Sequence, residues 1–171
     1  SINGNNYDTY EVALGLDVAA VQNQTGNQFT ADVISFSDKS LQLSEGLSEG
    51  SLGLSLTKGT AESVYGSATV VTLVTLSGIP DSVILSQGVK QTNGDWLLLG
   101  SQIDPEVPIS FVAADTDYSG SFIVSSWATT TVINGADTFT ATSASKTMTV
   151  QVQAVIDDVV YEAVNSPAFA D

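Results

Sequence analysis

Cysteine, histidine and arginine are absent from the 171-residue chain, and each absence closes a class of function. Without cysteine, no disulfide can staple the fold. Without cysteine or histidine, the sulfur and nitrogen ligands that zinc and copper favour are missing. Without arginine, positive charge rests on four lysines, Lys39, Lys58, Lys90 and Lys146, against 19 acids, for a net charge of −15. That excludes a cationic patch for nucleic-acid phosphates or anionic lipid, so no nucleic-acid partner is expected. No apolar run is long enough to span a bilayer as a helix, so no membrane insertion is expected. Histidine is also the side chain that titrates nearest neutral pH, so general-base catalysis loses its usual agent. A Ser-Lys pair or two carboxylates would remain, but the spacing of the serines and acids singles out neither. The chain reads as a non-enzyme, with no catalytic residues. It opens on neither a Met nor a basic stretch followed by an apolar run, so it reads as a piece of something longer.

What is present is a foldable, strongly acidic chain. Hydrophobic residues make up 43% of it, far from the composition of a disordered protein. The length suits one domain, and is enough to bury most of its apolar surface without staples. An uncompensated −15 opposes compaction through self-repulsion. Salt screens that repulsion, and a hard cation with oxygen ligands would relieve it locally. Calcium is therefore the one cofactor expected.

Period-two alternation dominates. Leu52, Leu54 and Leu56 fall on one face of 51–57. Met148, Val150, Val152, Ala154 and Ile156 fall on one face of 146–156. Tyr10, Val12, Leu14, Leu16, Val18 and Ala20 fall on one face of 10–20, where six apolar positions favour a strand over the helix that its Ala, Leu and Glu also allow. The Val/Thr/Leu run 69–76 reads as an interior strand. Weaker strands are predicted at 29–36, 83–86, 95–99, 109–113, 121–132 and 137–144. Turn chemistry separates them: Thr25-Gly26-Asn27, Ser77-Gly78-Ile79-Pro80-Asp81, Asn93-Gly94-Asp95 and Ser119-Gly120. Asn134-Gly135, flanked by Ile133 and Ala136, is expected to form a tight hairpin. No helix is predicted. Many short strands with regular turns indicate an all-β sandwich. Residues 159–171 contain Ser166-Pro167, lose the alternation, and read as a linker to a following domain.

An ordered set of motifs runs through about 51–158. It comprises Ser77-Gly78-Ile79-Pro80, Leu85-Ser86-Gln87-Gly88, Asn93-Gly94-Asp95-Trp96, Tyr118-Ser119-Gly120-Ser121-Phe122 and Asp137-Thr138-Phe139-Thr140, closing on Val150-Gln151-Val152-Gln153-Ala154-Val155-Ile156-Asp157. The set resembles the cadherin-like, immunoglobulin-like repeats of giant RTX adhesins exported by bacterial type I secretion systems. The resemblance implies an immunoglobulin-like Greek-key β-sandwich, secreted to the bacterial cell surface. It implies calcium-stiffened modules in fibres that hold cells to surfaces, to other cells or to ice. Residues 41–158 carry the recognisable repeat; residues 1–40 extend it with extra N-terminal strands. Where the family carries an acidic stretch before its Ser-Gly-x-Pro turn, this chain keeps only Glu62. The Gly-Gly-x-Gly-x-Asp nonapeptide of RTX tails is also missing, so this is not the secretion-proximal β-roll.

Several acids are candidate calcium ligands. Asp115-Thr116-Asp117-Tyr118-Ser119-Gly120 has the opening spacing of a calcium loop, although position twelve is Ser126 rather than Glu. The plainer reading is a solvated turn. Asp157 and Asp158 follow the last strand, where the resemblance implies an ion shared with the next domain. Asp104 and Glu106 bracket Pro105 in a loop, and Glu45 and Glu49 lie at the start of the repeat; solvated surface charge is the alternative for each pair. Trp96 matches the core-side tryptophan of the resembled repeat. Trp127 is out of phase with Phe122 and Val124, so it is placed on the opposite face, where it could stack on a sugar or peptide, or simply be covered; Tyr118 is a second candidate ligand contact. No cluster is visible among Tyr7, Tyr10, Tyr65, Tyr118 and Tyr161.

Three functions are compatible with this. The leading one is a structural adhesin module that positions an adhesive tip, its partners being neighbouring domains of the same adhesin. The second is a ligand-binding module for a glycan or peptide, or a platform for an inserted sugar-binding domain. The third is a surface-layer or pilus-like assembly subunit.

Overall fold

The structure is a computed structural model, described for residues 29–45, 50–113 and 117–156. The described chain is all-β, with one short helix. The strands are β1 (Val33–Phe36), β2 (Ser40–Ser44), β3 (Gly50–Ser51), β4 (Leu54–Thr57), β5 (Thr69–Ser77), β6 (Val83–Leu85), β7 (Val89–Lys90), β8 (Trp96–Leu99), β9 (Ser110–Ala113), β10 (Gly120–Asn134), β11 (Asp137–Thr142) and β12 (Lys146–Gln153). Helix α1 (Ala61–Tyr65) follows β4, and a 3-10 turn (Gly100–Gln102) follows β8.

The largest sheet has seven strands in the order β2-β12-β10-β5-β8-β7, with β11 pairing β10 as well. β10 is long enough to share one edge between two partners. Its first half pairs β12, from Gly120↔Val152 to Ser126↔Lys146, and its second half pairs β11. β5 takes the other edge. Two small sheets, β1-β4 and β3-β9-β6, complete the set. β1 pairs in a small sheet, whereas β2, three residues later, pairs β12 in the large one. The chain therefore switches sheets between them, as strands at sandwich corners do.

Alternation converts directly into burial. Val74 and Leu76 of β5, Val124 and Val132 of β10, and Val150 of β12 are buried, while their sequence neighbours point out. One core joins all three sheets: Ile34, Leu52, Val83 and Phe111 from the small sheets meet Val74, Trp96, Leu98, Phe122 and Met148. Ile34 is fully buried, so the chain before residue 40 is built into the same core. A second cluster lies under α1, where Ala61 meets Phe29 and Val132. Tyr65 stacks on Phe139 at 5.5 Å and meets Phe29 edge-on at 5.7 Å. Tyr65 thus does join an aromatic cluster, with phenylalanines rather than with the other tyrosines; Tyr7, Tyr10 and Tyr161 lie outside the described residues.

The two ends of β10 give the molecule its two poles. Phe29 and α1 lie at the Val132 end. β12 runs off at the Gly120 end, where Gln153 pairs Ser44. Gly120 and Val132 are twelve rises apart, roughly 40 Å.

Most strand expectations match the structure, and four differ. The predicted 29–36 strand begins only at Val33. The 51–57 run breaks into β3 and β4 at Gly53, whose φ of 57° turns the strand from its β9 partner to its β1 partner. The hairpin turns one residue later than expected: Asn134 pairs Asp137, and Gly135-Ala136 forms the loop. Gly135, with φ 66°, supplies the positive angle at the first loop position. The last strand stops at Gln153, leaving Ala154 and Ile156 exposed instead of on its apolar face. The one-turn helix α1 and the strands β2 and β7 are additions. The predicted strand 10–20 and linker 159–171 lie outside the described residues.

Candidate functional site

The described acids sit in loops, in α1 or at strand ends, and among them only Asp32 is buried. The topology brings two of the expected calcium ligands to one pole. Glu45 follows β2, and its N–H donates to the Gln153 carbonyl at 2.9 Å. Asp117 precedes β10 by three residues, at Gly120, which pairs Val152. Asp157 and Asp158 follow Gln153 by four and five residues and, like Asp115 and Glu49, lie outside the described residues. Asp104 and Glu106 are in a different place, the loop between the 3-10 turn and β9. There the Asp104 carboxylate accepts from the Glu106 N–H at 2.8 Å, and both residues are exposed. That bond makes Asp104 a turn-forming residue of its own loop. Among the described residues no three acids come together as a metal-holding group, so the described acids alone do not complete a calcium site.

The aromatic candidates separate. Trp96 is a core residue, 5% exposed, and its indole N–H has no hydrogen-bond partner among the described residues. Trp127 is half-buried and lies on the outward face of β10, opposite Phe122 and Val124, as its phase predicts. Tyr118 sits at the β12 pole instead, its ring 6.2 Å from that of Phe122, and burial pushes its phenol up from the ordinary value. The two do not form a shared ligand platform. Around Trp127 the registers build a neutral surface. Trp127, Thr75, Leu97 and Val89 form one row across four strands; Thr129, Leu73 and Leu99 form the next. Leu73, Val89 and Leu99 are exposed on this face.

The most organised polar group escaped the sequence reading. Asp32, 2% exposed, precedes β1. Its carboxylate accepts from the Gly59 N–H at 2.8 Å and from the Thr72 hydroxyl at 2.8 Å. Its own N–H donates to the Thr130 hydroxyl at 2.8 Å. The Lys58 ammonium lies 3.4 Å from the same carboxylate and 3.3 Å from Glu62. Burial acts to lower the Lys58 pKa, but the hydrogen bond to Glu62 and the charge of Asp32 outweigh it and hold the ammonium above its usual value. The group ties the β1–β4 pair to β5 and β10 across the core. Its legible signal was Thr72, a hydroxyl in the inward phase of β5 between Val70 and Val74.

The second ion pair is local. Lys90 donates to Asp81 at 2.7 Å, which draws the Asp81 carboxyl below its ordinary value.

The chain matches no protein-family model, no curated protein and no solved structure.

Proposed function

We propose that the chain is a load-bearing structural module of a bacterial surface adhesin, an immunoglobulin-like Greek-key sandwich stiffened by calcium at its β12 pole. The observation that carries this is the placement of the chain. The described residues begin at Phe29, beside α1, and end just past β12, at the opposite end of β10. Such a module transmits tension along its length. β1 and β2 run away from the α1 pole, and β12 runs parallel to β2 in a five-pair ladder from Thr149↔Ser40 to Gln153↔Ser44. Tension on the two chain ends pulls β2 and β12 in opposite senses along their own axes. The ladder is then sheared, and its hydrogen bonds must fail together instead of one pair at a time. Calcium would be held by Glu45 and Asp117 at that pole, with Asp115, Asp157 and Asp158, outside the described residues, as the further expected ligands. It would fix the junction with whatever follows, because oxygen ligands from two segments would converge on one ion. Secretion to the cell surface belongs to the same proposal.

Optical-tweezers pulling tests it, since a cysteine-free chain allows any attachment geometry. The full chain pulled by its two ends should rupture at clearly higher force than the Ser40→Cys/Thr149→Cys variant pulled from those two positions, where the same ladder unzips. Equal rupture forces in the two geometries would remove the mechanical reading.

A second reading, a ligand-binding module, is favoured by the neutral face around Trp127. It calls for a flat, uncharged partner such as a neutral glycan or peptide, and it is checked by whether Trp127→Ala abolishes binding on a glycan array.

A further inference from the structure

Two asparagines among the described residues precede a glycine, Asn93 before Gly94 and Asn134 before Gly135, and both are exposed at tight turns. Such a pair is open to a reaction that needs no enzyme: the glycine's amide nitrogen attacks the asparagine side chain. Glycine permits it because no Cβ shields the nitrogen. Local geometry decides whether the two groups can meet.

At Asn93 both groups are held. The Gly94 N–H donates to the Gln91 carbonyl at 3.0 Å. The Asn93 side chain donates to the Asp95 carboxylate at 2.9 Å and accepts from the Asp95 N–H at 3.1 Å. The attacking nitrogen, the carbonyl under attack and the departing nitrogen are thus each tied into one Asx turn. The Gln91 N–H closes that turn further, donating to the Asp95 carbonyl at 2.7 Å. At Asn134 the same groups are loose. Among the described residues neither its side chain nor the Gly135 N–H has a hydrogen-bond partner. A Cβ built on Gly135 would meet nothing within 4 Å. Asn134 is also the last residue of β10, paired with Asp137, where a ladder frays first.

We propose that Asn134 is a spontaneous modification site, deamidated through a succinimide, and that Asn93 is spared. The Gly135 amide nitrogen gives its proton to solvent and attacks Asn134 Cγ. The Cγ–Nδ2 bond breaks, and Nδ2 takes a proton from water and leaves as ammonia. Water then opens the five-membered ring. Breaking the new bond from Gly135 N to Cγ leaves an aspartate. Breaking the bond from Gly135 N to the main-chain carbonyl carbon leaves an isoaspartate, with the main chain routed through the side chain. Either product sets a carboxylate opposite Asp137, and like charges facing across a ladder destabilise it. The isoaspartate also lengthens a two-residue loop that fixes the hairpin register. β11 carries Phe139, which stacks on Tyr65 at 5.5 Å, so a loosened hairpin reaches the α1 pole.

The test is to age the full, unsubstituted chain in mildly alkaline buffer, digest it with pepsin in acid and weigh the peptides. The Asn134 peptide should gain one mass unit at least about tenfold faster than the Asn93 peptide, because the hydrogen bonds at Asn93 must first be given up. In urea, where neither turn is folded, the two rates should converge. Equal rates in native buffer, or the same difference surviving in urea, would overturn the proposal. The aged protein, separated on an anion exchanger by its extra negative charge, should melt below the fresh protein. Identical melts would overturn the coupling to the α1 pole.

Discussion

At the scale of single residues, the buried Asp32 group separates hydrogen bonding from charge pairing. Asp32→Ala leaves the Gly59 N–H and the Thr72 hydroxyl without their buried acceptor, and should cost about 2–4 kcal/mol in urea unfolding. Lys58→Met should cost less than about 1 kcal/mol, because the ammonium is 61% exposed and screened. Equal losses would mean that charge holds Asp32 in place. The Lys58 pKa gives the pH dependence its sign. A lysine held above its ordinary 10.5 in the folded state contributes stability that is fully present below that value. It is lost as pH rises through the raised value. The gap in urea midpoint between wild type and Lys58→Met should therefore close in strongly alkaline buffer and stay constant near neutrality. Two glycines make a second contrast. Gly78 has φ 85°, and a Cβ there would strike the Ile123 carbonyl. Gly135 has φ 66° and open space around it. Gly135→Ala should cost about 1 kcal/mol of backbone strain, and Gly78→Ala at least about 3. Thermal melts of the two variants decide it.

At the scale of elements, the readable strands were those whose packing is one-sided. β5, β10 and β12 alternate because one face meets the core, and they emerged within a few residues of their actual bounds. β2 was missed although Leu41 and Leu43 alternate, because its five residues are set by a parallel partner a hundred residues away. α1 was missed because five residues are too few to show a helical period; it is held by Phe29 and Val132. The break at Gly53 is invisible in Leu52-Gly53-Leu54, since Leu52, Leu54 and Leu56 keep one phase through it. Ser37 packs where a Cβ at position 53 would go, and the carbonyls of Thr30 and Ala31 do the same at Gly59. Gly59→Ala should therefore destabilise, although no turn motif marks that glycine; a melt unchanged within 1 °C of wild type would contradict the close approach.

At the scale of the whole molecule, charge and topology together define the reading. The sequence showed that 19 acids face four lysines, but not where they gather. Placement needed the long-range pairings: Glu45 reaches the exit pole only because β2 lies against β12, and Asp117 only because β10 starts beside Val152. Trp127 was assignable to a face from its phase, whereas the neutral rows around it required the cross-strand registers. Glu45 and Asp117 at one pole add to the repulsion that a net charge of −15 creates, and an ion bound to the folded state alone would relieve it by mass action. Thermal unfolding in millimolar calcium, compared with EDTA at matched ionic strength in sodium chloride, is the most direct measurement. The expected result is a midpoint raised by about 5 °C or more in calcium, and reversed by EDTA. Coincident midpoints in the two buffers would contradict the claim that a divalent ion stiffens this module.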